Sequence, residues 1–219
     1  MRKALKAWLA AGDEKKILLL RHGDTQTRAD KKRFIGQTDV PLSDTGRRQA
    51  QYWRSCLAEA PPFRILSSDL CRCMETARII AAGHDRDVTP QAELREILLG
   101  EWDGMTFRRV KERWPEAFRQ RGMDLARFRP PGGESFLDLQ QRVIPVIQAA
   151  ADRAERHMLI VAHAGVNRVI LCGLLGMPVE NLCRIAQGYG AMNLVDRQAG
   201  RYRIASLNLL PAPLDNENQ

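Results

Sequence analysis

Residues 16–23, Lys16-Ile17-Leu18-Leu19-Leu20-Arg21-His22-Gly23, run from an apolar stretch into an arginine and a histidine, and how this stretch is read decides the fold. Its apolar residues follow one another with no polar alternation, which describes a strand covered on both faces, as in a parallel sheet. A second run has the same design: His157-Met158-Leu159-Ile160-Val161-Ala162 ends in His163-Ala164-Gly165. Ligands of open α/β sheets bind beyond the carboxyl ends of such strands, where the chain turns into a helix. Both histidines therefore fall where chemistry is placed. The arginine beside the first suggests an imidazole attacking a phosphoryl group held by cations.

Outward from these two strands, helices and strands alternate. Pro41 to Gly46 reads as a turn into a helix capped by Ser43 or Asp44 and running through Gln49, Trp53 and Leu57. Phe63 to Leu66 is a second strand, and Ser67-Ser68-Asp69 supplies cap residues for a helix from Leu70 to Ala82. Pro90 to Gly104 is mixed, with a short strand before Glu96, and a charged stretch with a helix over Phe107 to Trp114 ends at Pro130-Pro131-Gly132-Gly133. A long helix from Glu134 to Arg153 tolerates Pro145 with a kink. After the His163 strand come a helix from Val166 to Leu175 and a hairpin of Ala191–Asp196 and Arg201–Leu207, joined at Gln198-Ala199-Gly200. Helices between parallel strands give an α/β class, a three-layer α/β/α sandwich with a mostly parallel central sheet. Residues 16–210 form one domain, 1–15 a short amphipathic extension and 211–219 a tail.

The 34 Lys and Arg against 26 Asp and Glu give a net charge of +8, which draws anions to the surface in general. It does not mark nucleic acid: the densest basic segment, Arg108, Arg109, Lys111 and Arg113, is interrupted by Glu112 and lacks interleaved aromatics for base stacking, so it reads as a solvated helix face. No apolar run is long enough for a bilayer span, so no membrane partner is expected. The five cysteines, Cys56, Cys71, Cys73, Cys172 and Cys183, are odd in number and lack CxxC spacing, which suits reduced thiols in a cytoplasmic protein. A homodimer is compatible with the sequence.

The segments LLLRHGDT, GQTDVPLSDTGRRQA, SSDLCRCMETA, LREILLGEWDG, PPGGES and VAHAG occur in this order over residues 17–207. Together they resemble the histidine phosphatase superfamily, the phosphoglycerate-mutase-like fold. RHG alone would carry little weight; six ordered segments carry much. The resemblance implies that His22 is the nucleophile, that His163 holds the phosphoryl group and stabilises the transition state, and that Glu96 is the acid that protonates the leaving group and then activates water. Glu93 and Glu101 are its nearby competitors. The chemistry agrees with these residue types. A phosphomonoester dianion repels nucleophiles until its oxygens are neutralised, and Arg21 and Arg72 offer fixed, planar donor forks for that purpose. A histidine nucleophile splits one hard displacement into two easier ones. His84 and His157 read as surface or structural, and Cys71 and Cys73 as packing residues around Arg72.

One departure stands out. Arg28 occupies the position, six after His22, where family members often carry asparagine, and Lys31-Lys32-Arg33 follow it. It either adds phosphate or carboxylate contacts to the substrate-binding set of Arg21 and Arg72 or leaves the pocket. The acid segment and PPGGES resemble the phosphatase branch, including alpha-ribazole phosphatases and broad phosphomonoesterases, more than the cofactor-dependent mutases. The implied function is hydrolysis of a small phosphorylated metabolite through a phosphohistidine, with alpha-ribazole 5'-phosphate the named candidate. A phosphoglycerate mutase and a non-catalytic phosphate- or phosphoprotein-binding module are the alternatives. No cofactor and no metal is expected, because two arginines already supply the positive charge a metal would bring.

Overall fold

The structure, a computed structural model, describes residues 1–26, 32–61, 63–82, 87–154 and 157–212. In chain order, α1 (Arg2–Ala10) precedes β1 (Lys15–Arg21), α2 (Asp44–Leu57), β2 (Phe63–Ser68), α3 (Cys71–Ala81) and β3 (Val88–Gln91). Then come α4 (Phe107–Arg113), α5 (Pro115–Met123), α6 (Phe136–Arg153), β4 (His157–Ala162), α7 (Ala164–Leu175), β5 (Met192–Gln198) and β6 (Arg201–Leu209). The strands form one sheet in the order β3-β2-β4-β1-β5-β6. Pairings among the first four are parallel, and the β5–β6 hairpin adds two antiparallel strands at the edge.

β1 lies between β4 and β5, and its side chains feed two cores alternately. Ile17 and Leu19 join Ile160, Leu139 and Val143 of α6 and Val166 and Val169 of α7. Leu18 and Leu20 join Leu159, Leu5 and Leu9 of α1, Trp53 of α2 and Ile80 of α3. That two-sided burial is why the strand reads as an unbroken apolar run, and each such side chain contributes roughly 1.5–3 kcal/mol relative to exposure. The helices thus cover both faces of the sheet, giving the expected three layers.

The local differences have physical causes. β2 runs on to Ser68, so Ser67 and Ser68 are strand residues; α3 has Leu70 at its N-cap with no side-chain bond, and its first amide, Cys71 N, is satisfied across the chain by Asp39 Oδ1 at 2.8 Å. α7 starts two residues earlier than its apolar periodicity suggests, with His163 itself at the N-cap. α6 begins at Phe136 behind a capping box in which Ser135 and Asp138 satisfy each other's backbone amides. α5 carries no fully buried residue and therefore no apolar stripe to read. The amphipathic reading of the N-terminus is α1, which buries Leu5 and Leu9 and pairs Arg2 and Lys6 with Glu59. Among the described residues no helix is long and apolar enough to cross a membrane.

Candidate active site

The parallel pairing of β1 with β4 puts Arg21 opposite Ala162, so the next residue of each strand, His22 and His163, emerges at the same sheet end. Their ring centroids lie 5.1 Å apart. Both imidazoles are buried, at 5% and 0% exposure. His22 Nδ1 sits 2.7 Å from the Gly23 carbonyl, which can only accept; Nδ1 therefore carries the proton and Nε2 the lone pair. Burial first, then the charges of Arg21 and Arg72, hold the His22 imidazolium well below its ordinary range, so the ring is neutral. His163 is held below its ordinary range by burial and then by Arg72, its Nε2 lying 2.9 Å from Ser68 Oγ and 3.4 Å from Cys73 Sγ.

Arg21 is fixed from two sides. Its guanidinium carbon lies 3.7 Å from the centroid of the Tyr189 ring, and Nη1 donates to the Gln187 carbonyl at 2.7 Å. Gln187 is itself held by Asn167 at 3.1 Å and by Asn193 through two hydrogen bonds of 2.8 and 3.0 Å. The buried Nε–H of Arg21 has no partner among the described residues, a donor left for a ligand. Arg72, in the first turn of α3 and 1% exposed, donates from Nη1 to the Thr38 carbonyl at 2.8 Å and from Nη2 to the Gly36 carbonyl at 2.7 Å.

Glu96 reaches the site from the segment after β3. Its carboxylate accepts from Gly165 N at 3.0 Å, two residues beyond His163, and from its own neighbour Ile97 N at 3.0 Å. The approach is close: a Cβ at Gly165 would lie 2.4 Å from Glu96 Oε1, so any side chain there would displace the carboxyl. Glu93 and Glu101 are both exposed, and Glu101 faces Arg113. Of the three glutamates, Glu96 alone is buried beside the histidines. The structure thus brings together Arg21, His22, Arg72, Glu96 and His163; Arg28 and His84 lie outside the described residues. His157 is buried, with Nδ1 accepting from Lys16 N at 3.2 Å, a structural contact. Two cations and two neutral imidazoles around a buried carboxyl form a pocket suited to a phosphoryl group.

The family model of the histidine phosphatase superfamily, branch 1, matches residues 17–210. The chain belongs to this superfamily. It is 37% identical over 175 residues to a glucosyl-3-phosphoglycerate phosphatase of Mycolicibacterium vanbaalenii, covering 76% of this chain and 77% of that protein. It is 29% identical over 196 residues to an adenosylcobalamin/alpha-ribazole phosphatase of Salmonella typhimurium, covering 88% of this chain and 96% of that one. The crystal structure of a putative alpha-ribazole-5'-P phosphatase from Escherichia coli superposes with a TM-score of 0.83 at 27% identity, over 89% of this chain and 96% of that chain. Together these place the chain among histidine phosphatases that act on phosphate monoesters.

In this histidine phosphatase, sequence reasoning missed the residues that hold the ligand-facing groups. Ser68 turns His163 through a side-chain contact rather than capping α3. Gln187 and Tyr189 come from the loop before β5, where neither spacing nor charge marks them. Cys73 packs against His163 as well as the core, and burial pushes its thiol up beyond the usual range, which disfavours the thiolate.

Proposed function

We propose that the chain hydrolyses a small phosphorylated metabolite by passing its phosphoryl group through His22 to water. The observation that carries this reading is the unprotonated Nε2 of a buried, neutral His22 beside Arg21 and Arg72. The two guanidinium groups and the free Nε–H of Arg21 neutralise the phosphoryl oxygens. Nε2 attacks phosphorus, the bond to the ester oxygen breaks, and Glu96 delivers a proton to that oxygen. The Nδ1–H bond to the Gly23 carbonyl eases the positive charge that builds on the ring. His163, at the N-terminal end of α7, stabilises the transferring group from the opposite side. Water then attacks the phosphohistidine with Glu96 taking its proton, and the P–N bond breaks to return neutral His22.

We assign the leaving group to a cleft beside the acid segment, about 610 Å³ including its mouth and walled by Phe34, Ile97, Phe128 and Phe136. Such walls suit an alcohol with a flat apolar face, which favours alpha-ribazole 5'-phosphate. Arg33 and Arg121 line the same cleft and suit a carboxylate, which supports glucosyl-3-phosphoglycerate as the second reading. A panel of monoesters containing both, assayed for free phosphate after exhaustive chelation, separates them. Phosphate release without a bisphosphorylated primer is expected. Primer-dependent interconversion of 2- and 3-phosphoglycerate would make the chain a mutase, and phosphate binding without turnover on any ester would make it a binding module.

A further inference from the structure

We propose that Asp103 is a positioning residue that, through the loop 36–39, sets where Arg72 meets the phosphoryl group and how far Arg72 stands from Glu96; this rests on the phosphatase reading above. Arg72 points its two terminal nitrogens at the carbonyls of Gly36 and Thr38, so the orientation of its remaining donors follows the orientation of those two peptide groups. The same stretch of backbone turns its amides the other way, onto one carboxylate. Gly36 N donates to Asp103 Oδ1 at 2.9 Å, while Gln37 N and Thr38 N donate to Asp103 Oδ2 at 2.8 and 2.9 Å. The peptide unit between Gly36 and Gln37 bridges the two directly, its N–H on Asp103 and its C=O on Arg72, so its dipole runs from one to the other and each bond polarises the next. The flanking amides and the Thr38 carbonyl fix the loop on either side.

The far end of this relay is rigid. Asp103 follows Trp102, which is fully buried and packs against Phe34 and Phe128 with centroids 5.3 Å away in each case. The near end touches the acid segment as well as Arg72. Gln37 Nε2 donates to the Glu96 carbonyl at 3.0 Å, and a Cβ on Gly36 would lie 2.6 Å from the Ile97 carbonyl oxygen. Asp39, next in the loop, accepts from Cys71 N, the residue before Arg72. One loop therefore spaces the anion-binding arginine from Glu96, and Asp103 fixes the loop. Asp103 touches neither histidine nor Arg72, and its residue type alone gives no hint of this role.

In Asp103→Asn the amide nitrogen replaces one carboxylate oxygen and faces backbone N–H donors, so part of the three-amide grip is lost. A double-mutant cycle with Arg72→Ala reads the consequence, with rates normalised to the folded fraction from thermal melts and phosphate affinity measured by calorimetry. Asp103→Asn should cost on the order of 10²-fold in kcat/KM, the scale of about 1 Å of misplacement, and should weaken phosphate binding. In the Arg72→Ala background the same substitution should cost less than about threefold, because the group it positions is gone. Equal losses in both backgrounds, or unchanged kcat/KM and phosphate affinity in Asp103→Asn, would overturn the proposal while leaving the phosphatase reading intact. Wild-type protein that neither releases nor binds phosphate would overturn both. Should Asp103→Asn fail to fold, Asp103→Ser enters the same cycle, where a loss confined to the Arg72 background supports the proposal and equal losses overturn it.

Discussion

An imidazole attacks only through a nitrogen that carries no proton, and the Gly23 carbonyl decides which nitrogen of His22 that is. Glu96 poses the complementary question of where the leaving group finds its proton. Replacing it with Gln keeps the shape and one of the two backbone contacts, with Gly165 or Ile97, but removes the transferable proton, so Glu96→Gln should slow an alkyl phosphate by roughly 10²–10⁴-fold, the range of general acid catalysis. With p-nitrophenyl phosphate, whose leaving group hardly needs a proton, the phosphorylation step should lose far less. Single-turnover rates on the two esters check this, and equal losses would move the acid elsewhere. The histidines, the two arginines and Glu96 were legible because strand ends and the ordered segments carry them. Ser68, Gln187, Tyr189 and Asp103 were not, since each acts by a through-space contact that no spacing records.

At the level of elements, the junction of β1 with α2 is the tightest place in the site. Gly23 and Gly46 face each other so closely that a Cβ on Gly46 would lie 2.1 Å from the Asp24 carbonyl oxygen, and one on Gly23 would lie 2.4 Å from the Gly46 oxygen. Both contacts are backbone, which cannot swing aside. Helix propensity alone says that Gly46→Ala, inside α2, stabilises by about 1 kcal/mol. The contact says the opposite, by about 1–3 kcal/mol for forced overpacking. Denaturant titration should therefore find Gly46→Ala less stable than the parent, with lower activity because Gly23 follows His22; a stability gain would contradict this packing. The buried strands could be read from unbroken apolar runs and the amphipathic helices from apolar periodicity. The start of α3 near Leu70 could be read too, but not its cap, because Asp39 satisfies its first amide from another part of the chain; nor could α5, whose residues are all at least partly exposed.

Across the whole molecule, two buried neutral imidazoles tie stability to pH. His22 and His163 are both held below their ordinary range, chiefly by burial, whereas in the unfolded chain they protonate near about 6.5. Below that value the unfolded state binds more protons than the folded one, so this contribution is present above about 6.5 and is lost as pH falls toward the folded-state values. Each histidine adds a slope of up to about 1.4 kcal/mol per pH unit in that window. Unfolding free energies of the ligand-free protein between pH 7 and 5 should show it, and His163→Asn should remove about one proton from the slope; an unchanged slope would mean that His163 is not buried neutral. The sheet order, the two-sided core and the paired strand ends converge on a single chemical claim, a covalent bond between His22 and phosphorus. Rapid quench after mixing enzyme with a phosphate ester labelled on phosphorus tests it most directly. The expected result is a transient labelled enzyme, stable in alkali and lost in acid, that His22→Ala does not form; an acid-stable label, or a label that persists in His22→Ala, would contradict the account.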